Sequence, residues 1–306
     1  MATLYAPYID VSLNALWSDW QNYPKGRPNP IYSQQAISYG VDGLVLGFLT
    51  LSPSNKACWA ASDAMPLEWA LPLANELNAA NRQVIVSFGG ASNADISTKF
   101  TVDQLVQTYT DVVQKFKAKQ LDFDLENGQY DYNKISSALA IFQKSNPSVR
   151  ISFTLPTMPA GLVTEGLNII QSAKNAGVKF SVNGMAMDYN DGVSSQDMGK
   201  AATSAATSIK TQLGKLYPGQ TDAQLYPLVA ITPMIGLNDD TTEMFKLPDA
   251  TTVATFAKQK NMAFIGSWSF NRDNPSSYTY VDLQTSSNPA QKASGDYAKT
   301  FLAGIR

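Results

Sequence analysis

The sequence predicts an α/β fold, a (β/α)8 TIM barrel that occupies residues 1–306 as a single domain. Three observations carry that expectation. Short β-branched and apolar runs recur eight times, each followed by a stretch of helical spacing. No linker, low-complexity tract or shift in composition interrupts them. No Gly-rich phosphate loop follows the first run, which argues against a doubly wound open sheet. Eight units in 306 residues give about 38 residues each, above the ~31 implied by a minimal barrel of ~250 residues.

The runs are residues 4–10, 43–51, 83–90, 120–126, 150–156, 181–189, 228–235 and 263–270. After the third come Leu105, Val106, Tyr109, Val112, Val113 and Phe116 at i, i+3/i+4, i+7 spacing, with Thr101 and Gln104 reading as a capping box. After the fourth, Ile135, Ala138, Leu139 and Phe142 precede a stop at Asn146-Pro147. Leu167, Ile170 and Ala173 follow the fifth and end at Gly177, in the C′ position. Ala202, Ala205, Ile209, Leu213 and Leu216 follow the sixth and end at Pro218-Gly219. Behind the seventh, Asp249 is placed to cap a helix carrying Val253, Phe256 and Ala257. The first two helices have the weakest signal, since 33–39 is short and Pro72 sits inside the second pattern.

Charged residues make up only 16% of the chain against 44% hydrophobic, so its polar surface rests on Ser, Thr, Asn and Gln. The net charge of −2, with no basic run, leaves no electrostatic footprint for nucleic acid or an anionic membrane. A neutral partner such as an uncharged glycan fits better. The chain has no histidine, which excludes His-ligated metal sites, Ser-His-Asp triads and any imidazole base. Its one cysteine, Cys58, forms no intramolecular disulfide and lacks a histidine to activate it. No segment reaches the ~18 apolar residues of a transmembrane helix. Met1-Ala2-Thr3-Leu4-Tyr5 has no charged n-region or apolar h-region, so the protein stays inside the cell or has lost a leader. Secretion, with the leader absent from this chain, is the expectation.

The chemistry concentrates in Leu121-Asp122-Phe123-Asp124-Leu125-Glu126. In a strand, Leu121, Phe123 and Leu125 face an apolar layer while Asp122, Asp124 and Glu126 share the other face, about 7 Å apart. Three carboxylates on one buried face cannot all ionise at their ordinary pKa values, so they titrate as a set and at least one holds its proton. A protonated acid beside ionised carboxylates is what general-acid catalysis needs. A D-x-D pattern also suits a hard cation, and a solvated edge strand is the third reading; the stretch alone leaves all three open.

Active sites of barrels lie at the C-terminal ends of the strands, and the unusual residues of this chain lie there. Strand three ends in Ser87-Phe88-Gly89-Gly90 and strand four in Glu126. Strand six ends in Met185-Ala186-Met187-Asp188-Tyr189-Asn190 and strand eight in Ser267-Trp268-Ser269-Phe270-Asn271-Arg272-Asp273.

In this order and on these strands, Ser87–Gly90, Leu121–Glu126, Met187–Tyr189 and Trp268 resemble glycoside hydrolase family 18, the chitinases. The likeness runs from Tyr5-Ala6-Pro7-Tyr8 to Asp273 and is closest to bacterial and fungal members whose strand-four motif reads L-D-F-D-x-E. The fuller motif has another Asp three residues before Asp122, where this chain has Lys119. That change is expected to alter local electrostatics rather than remove activity. The resemblance implies an endo-acting chitinase that works with retention through the substrate's own 2-acetamido group, without metal or cofactor, as a monomer on chitin or chitooligosaccharide.

The same resemblance implies the roles. Glu126 is the acid/base, Asp124 bonds the acetamido N–H, Asp122 shares a proton with Asp124, and Tyr189 orients the acetamide carbonyl. Trp268 floors the −1 sugar, Asp188 and Met187 lie beside it, Gly89 and Gly90 allow close approach, and Tyr8 and Phe48 form walls. Trp17, Trp20 and Trp59 are candidates to stack on further sugars. Many members insert a small α+β domain between strand seven and helix seven, whereas residues 236–248 are too few for one. An endo-β-N-acetylglucosaminidase acting on N-glycans, and a catalytically silent glycan-binding lectin, are the alternatives.

Overall fold

The computed structural model describes residues 2–306. Strand β1 runs in two segments, Leu4–Tyr5 and Tyr8–Asp10. It is followed by β2 (Gly43–Leu51), β3 (Gln83–Gly89), β4 (Gln120–Asp124) and β5 (Arg150–Met158). Then come β6 (Ser181–Ala186), β7 (Val229–Pro233) and β8 (Phe264–Ile265). Each pairs in parallel with the next. The first segment of β1 pairs with β8 and the second with β2, so the sheet closes on itself. Ala6 N–H bonds Ile265 O at 2.9 Å and Val45 N–H bonds Pro7 O at 2.9 Å, which carries the closure through the break in β1. This is the predicted (β/α)8 barrel.

The helices between the strands are α1 (Ile31–Tyr39), α2 (Leu71–Ala79), α3 (Val102–Phe116), α4 (Tyr132–Ser145) and α5 (Thr164–Asn175). The remainder are α6 (Met198–Leu216), α7 (Leu247–Lys260) and α8 (Asp296–Ile305). Helix α3 buries Leu105, Tyr109, Val112 and Phe116 on one stripe, and its start is the expected reciprocal cap. Gln104 N–H donates to Thr101 Oγ1 at 3.2 Å and Thr101 N–H to Gln104 Oε1 at 2.8 Å. Pro72 falls in the first turn of α2, where its missing N–H leaves no bond unmade. Asp249 caps α7 from the third helical position, accepting from Lys246 N–H at 2.6 Å, so α7 starts earlier than the sequence suggested.

Strands β2 to β7 are buried on both faces, one against the helices and one inside the barrel, so most read as apolar runs. The interior departs from that rule in one layer. Register places Ser87 and Ser152 on either side of Asp122, with Thr154 and Gly89 flanking Asp124. Branched apolar side chains usually fill such layers, so this polar one needs another explanation.

The ladders stop short of five predicted strand ends, by one residue at β3 and two at β7. Strand β4 ends at Asp124, β6 at Ala186 and β8 at Ile265, although single bonds continue at Leu125 and Trp268. Asp273, expected at the barrel mouth, instead caps α8, accepting from Ala298 N–H at 2.8 Å and Tyr297 N–H at 3.1 Å. Gln291 Nε2 is a third buried donor to this carboxylate at 2.7 Å, so Asp273→Ala takes the acceptor from all three and is expected to cost about 1–3 kcal/mol. Thermal unfolding checks this, and an unchanged midpoint would mean the cap contributes nothing.

Candidate active site

Asp122 is fully buried near the centre of the barrel. Four hydroxyls donate to its carboxylate: Ser152 at 2.5 Å, Ser87 at 2.7 Å, Thr154 at 2.8 Å and Tyr8 at 3.0 Å. Burial pushes its pKa up and the hydroxyls pull it back. Asn183 extends the network, donating to Tyr8 Oη at 3.0 Å and to Thr232 Oγ1 at 2.8 Å. With four donors on two oxygens, Asp122 has no lone pair left for a cation. Among the described residues no group of three or more His, Cys, Asp and Glu side chains is arranged to hold a metal ion.

One step along the same strand face, Asp124 is buried and its Oδ1 has no hydrogen-bond partner. Its carboxyl meets that of Glu126. Burial pushes Asp124 well above the usual carboxylate range, and the charges of Glu126 and Asp122 push it further. Glu126 is half-buried and also raised, first by burial and then by Asp188 and Asp239, while the bond from Asp124 pulls it down. The two carboxyls therefore titrate as one pair, with Asp124 the more strongly raised.

Phe48 and Trp268 form the adjoining apolar surface, with ring centroids 5.7 Å apart and planes at 28°. They pack over Ala6, Tyr8, Val45 and Ile85 inside the barrel. The glycine pair of β3 lies between this surface and β4. A Cβ on Gly89 would meet the Asp124 carbonyl oxygen at 2.1 Å, and one on Gly90 the Phe48 ring at 3.0 Å; both have φ above +90°. The space these glycines leave is filled by backbone and ring.

No protein-family model matches the chain. It is 32% identical over 299 residues to endochitinase 11 of Metarhizium anisopliae, covering 92% of this chain and 55% of that protein. It is 32% identical over 291 residues to the probable bifunctional chitinase/lysozyme of Escherichia coli K12, covering 89% of this chain and 31% of that protein. The chain thus spans about half of the first relative and a third of the second. The catalytic domain of the hyperthermophilic chitinase from Pyrococcus furiosus superposes with a TM-score of 0.86 at 30% identity, over 100% of this chain and 95% of that one. The chain belongs to glycoside hydrolase family 18, the chitinases.

Within this family 18 barrel, the structure brings Asp122, Asp124, Glu126, Asp188, Phe48 and Trp268 to one end of the strands. Asp122 differs from expectation in that its partners are hydroxyls, with no proton shared with Asp124. Tyr8 is no wall: it is 1% exposed and its hydroxyl lies beneath the site on Asp122. Trp59 belongs to the outer core, because residues Ala57–Trp59 fold back antiparallel on β2. Its indole N–H bonds Leu67 O at 2.9 Å and its ring packs on Phe116. Trp17 and Trp20 are exposed, Trp17 stacking on Trp69 at 5.9 Å.

Tyr189 lies just beyond β6. Its buried hydroxyl has no partner within the protein, and the nearby charges of Glu243 and Asp191 act on it. Asp188, at φ +50°, breaks the strand alternation, and Glu243 ties down the N–H groups of Tyr189 and Asn190 at 3.2 and 3.1 Å. The charge of Asp188 reaches Glu126, and its Oδ1 accepts from Asp240 N–H at 2.9 Å. Half-buried Met187 precedes it.

Three sets of residues went unread in the sequence. Tyr130, beyond β4, is pushed up to about 12 by burial and then by Glu165, with Glu126 also contributing. Asp239 adds charge beside Asp188 and Glu126. Ser152, Thr154, Asn183 and Thr232 occupy inward positions of three strands, and polar residues recurring at those positions were the available signal.

Proposed function

We propose that the chain hydrolyses β-1,4-linked N-acetylglucosamine polymers as an endo-acting chitinase, with retention of configuration. The observation that carries this reading is the adjoining pair of buried carboxyls, Asp124 and Glu126, on one strand face, both raised by burial. Both carboxyls approach the substrate from one side, which suits an acid and its helper rather than an acid opposite a nucleophile. Glu126 gives its proton to the glycosidic oxygen as the acetamido carbonyl oxygen of the −1 sugar attacks C1, forming an oxazolinium ion and releasing the downstream segment. Asp124, having passed its proton to Glu126, accepts from the acetamido N–H and offsets the developing positive charge. Glu126 then takes a proton from the water that opens the oxazolinium ion. The Trp268–Phe48 surface seats the −1 sugar, and buried Asp122 supplies fixed negative charge below. Such a polymer is too large to enter a cell, so the reading carries secretion with it.

Product analysis after incubation with chitohexaose tests activity and cleavage position together. Freshly formed product is expected to be the β-anomer by NMR, a thiazoline analogue to inhibit, and EDTA to have no effect. Inversion, or loss of activity with EDTA, would sink the mechanism.

The cleft is expected to be open. Between Pro233 of β7 and Leu247 of α7 the chain makes only a small hairpin, Gly236–Leu237 paired with Met244–Phe245. No wall rises there to hold a polymer after one cut. Early products from a soluble polymeric substrate should therefore spread over many lengths, and swollen chitin should be preferred to crystalline chitin. Disaccharide dominating from the first minutes would show that the chain is retained.

A further inference from the structure

A hollow of about 820 Å³ lies at the opposite end of the barrel, lined by the first residues of β1, β3, β4, β5, β6 and β8. That volume lies within the ~300–1,000 Å³ typical of small-molecule pockets. Leu4, Val149, Ile151, Phe180, Leu228 and Met262 supply an apolar wall. Arg150, Lys144 and Lys179 also line it, and among the described residues no Asp or Glu does. In a chain with a net charge of −2, three cations around one hollow without an acid is an uncompensated arrangement.

Arg150 is the best placed of the three. Its Nε donates to Gln120 Oε1 at 3.0 Å and its Nη2 to Gln83 Oε1 at 2.5 Å, both neutral amides. No carboxylate pairs with it, and burial pulls its pKa down. Nη1 makes no hydrogen bond and Nη2 makes one, so the guanidinium keeps donors for a carboxylate. Gln120 is itself fixed, its Nε2 donating to Ser152 Oγ at 2.8 Å. The guanidinium is therefore oriented before any ligand arrives, which lowers the cost of binding.

We propose that this hollow binds a small amphipathic carboxylate, its head on Arg150 and its alkyl body against the apolar wall. One cationic fork beside a largely apolar surface matches a monoanion with a hydrocarbon body better than a free multivalent anion. The site lies at the far end from the β4 carboxylates and stands whether or not the chain cleaves chitin.

Calorimetric titration of the full chain with octanoate tests it, with inorganic phosphate and 1-octanol as comparison probes. One octanoate per chain is expected, with both comparison probes weaker. Arg150→Gln should weaken octanoate on the order of tenfold, the scale of one lost charge-assisted bond. Arg150→Lys, which keeps the charge without the fork, should fall between and serves if the glutamine variant does not fold. Absence of octanoate binding, equal binding by the variants and the parent, or phosphate binding as tightly as octanoate would each overturn the proposal.

Discussion

Glu126→Gln is expected to lower the rate of chitin hydrolysis on the order of 10²–10⁴-fold while leaving oligosaccharide binding largely intact. The amide keeps the shape of the side chain and can still meet Asp124, but it has no proton to give the leaving oxygen. Ground-state contacts are expected from the Phe48–Trp268 surface, which the substitution does not touch. The loss should therefore fall on kcat, with KM little changed. Single-turnover kinetics and direct binding of chitohexaose separate the two terms. Near-parental kcat would show that the proton comes from elsewhere, with Asp188 the next candidate because its charge acts on Glu126 and its own carboxyl is raised by burial.

The two-residue period of 121–126 made the site's axis legible, because apolar and acidic residues alternate there without exception. Burial of Leu121, Phe123 and Leu125 on one face and the raised carboxyl of Asp124 on the other follow from that alternation. What surrounds the axis depends on register between strands far apart in sequence. Asp122 meets Ser87 35 residues earlier, Ser152 30 residues later and Tyr8 114 residues earlier. Parity along a strand says that Tyr8 points inward but not how deep it sits, so a residue beneath the site read as one of its walls. The strand end at Tyr189 was hidden for a local reason, since a left-handed turn at Asp188 ends the alternation. Trp59 was misread for a topological one, because a strand folding back on β2 is indistinguishable in sequence from a loop over the mouth. The barrel itself was easier to read, since eight apolar runs with helices between them leave few ways to bury both faces.

Asp124→Asn is expected to lower the rate on the order of 10²–10³-fold and to move the alkaline limb of kcat/KM to lower pH. In the parent the limb marks loss of the pair's last proton. That proton is held above the usual carboxylate range because its departure would leave two buried charges in contact, with Asp122 below and Asp188 and Asp239 beside them. An asparagine cannot ionise, so the repulsion between the two carboxylates disappears. The limb then reports Glu126 alone, raised by burial and by Asp188 and Asp239. The amide N–H can donate where the protonated carboxyl did, which limits rearrangement of the strand end. A pH profile of the variant from acid to alkaline conditions decides the matter. A limb that stays in place or moves upward would show that Asp124 and Glu126 do not titrate as one pair, and the substrate-assisted reading would lose the observation that carries it.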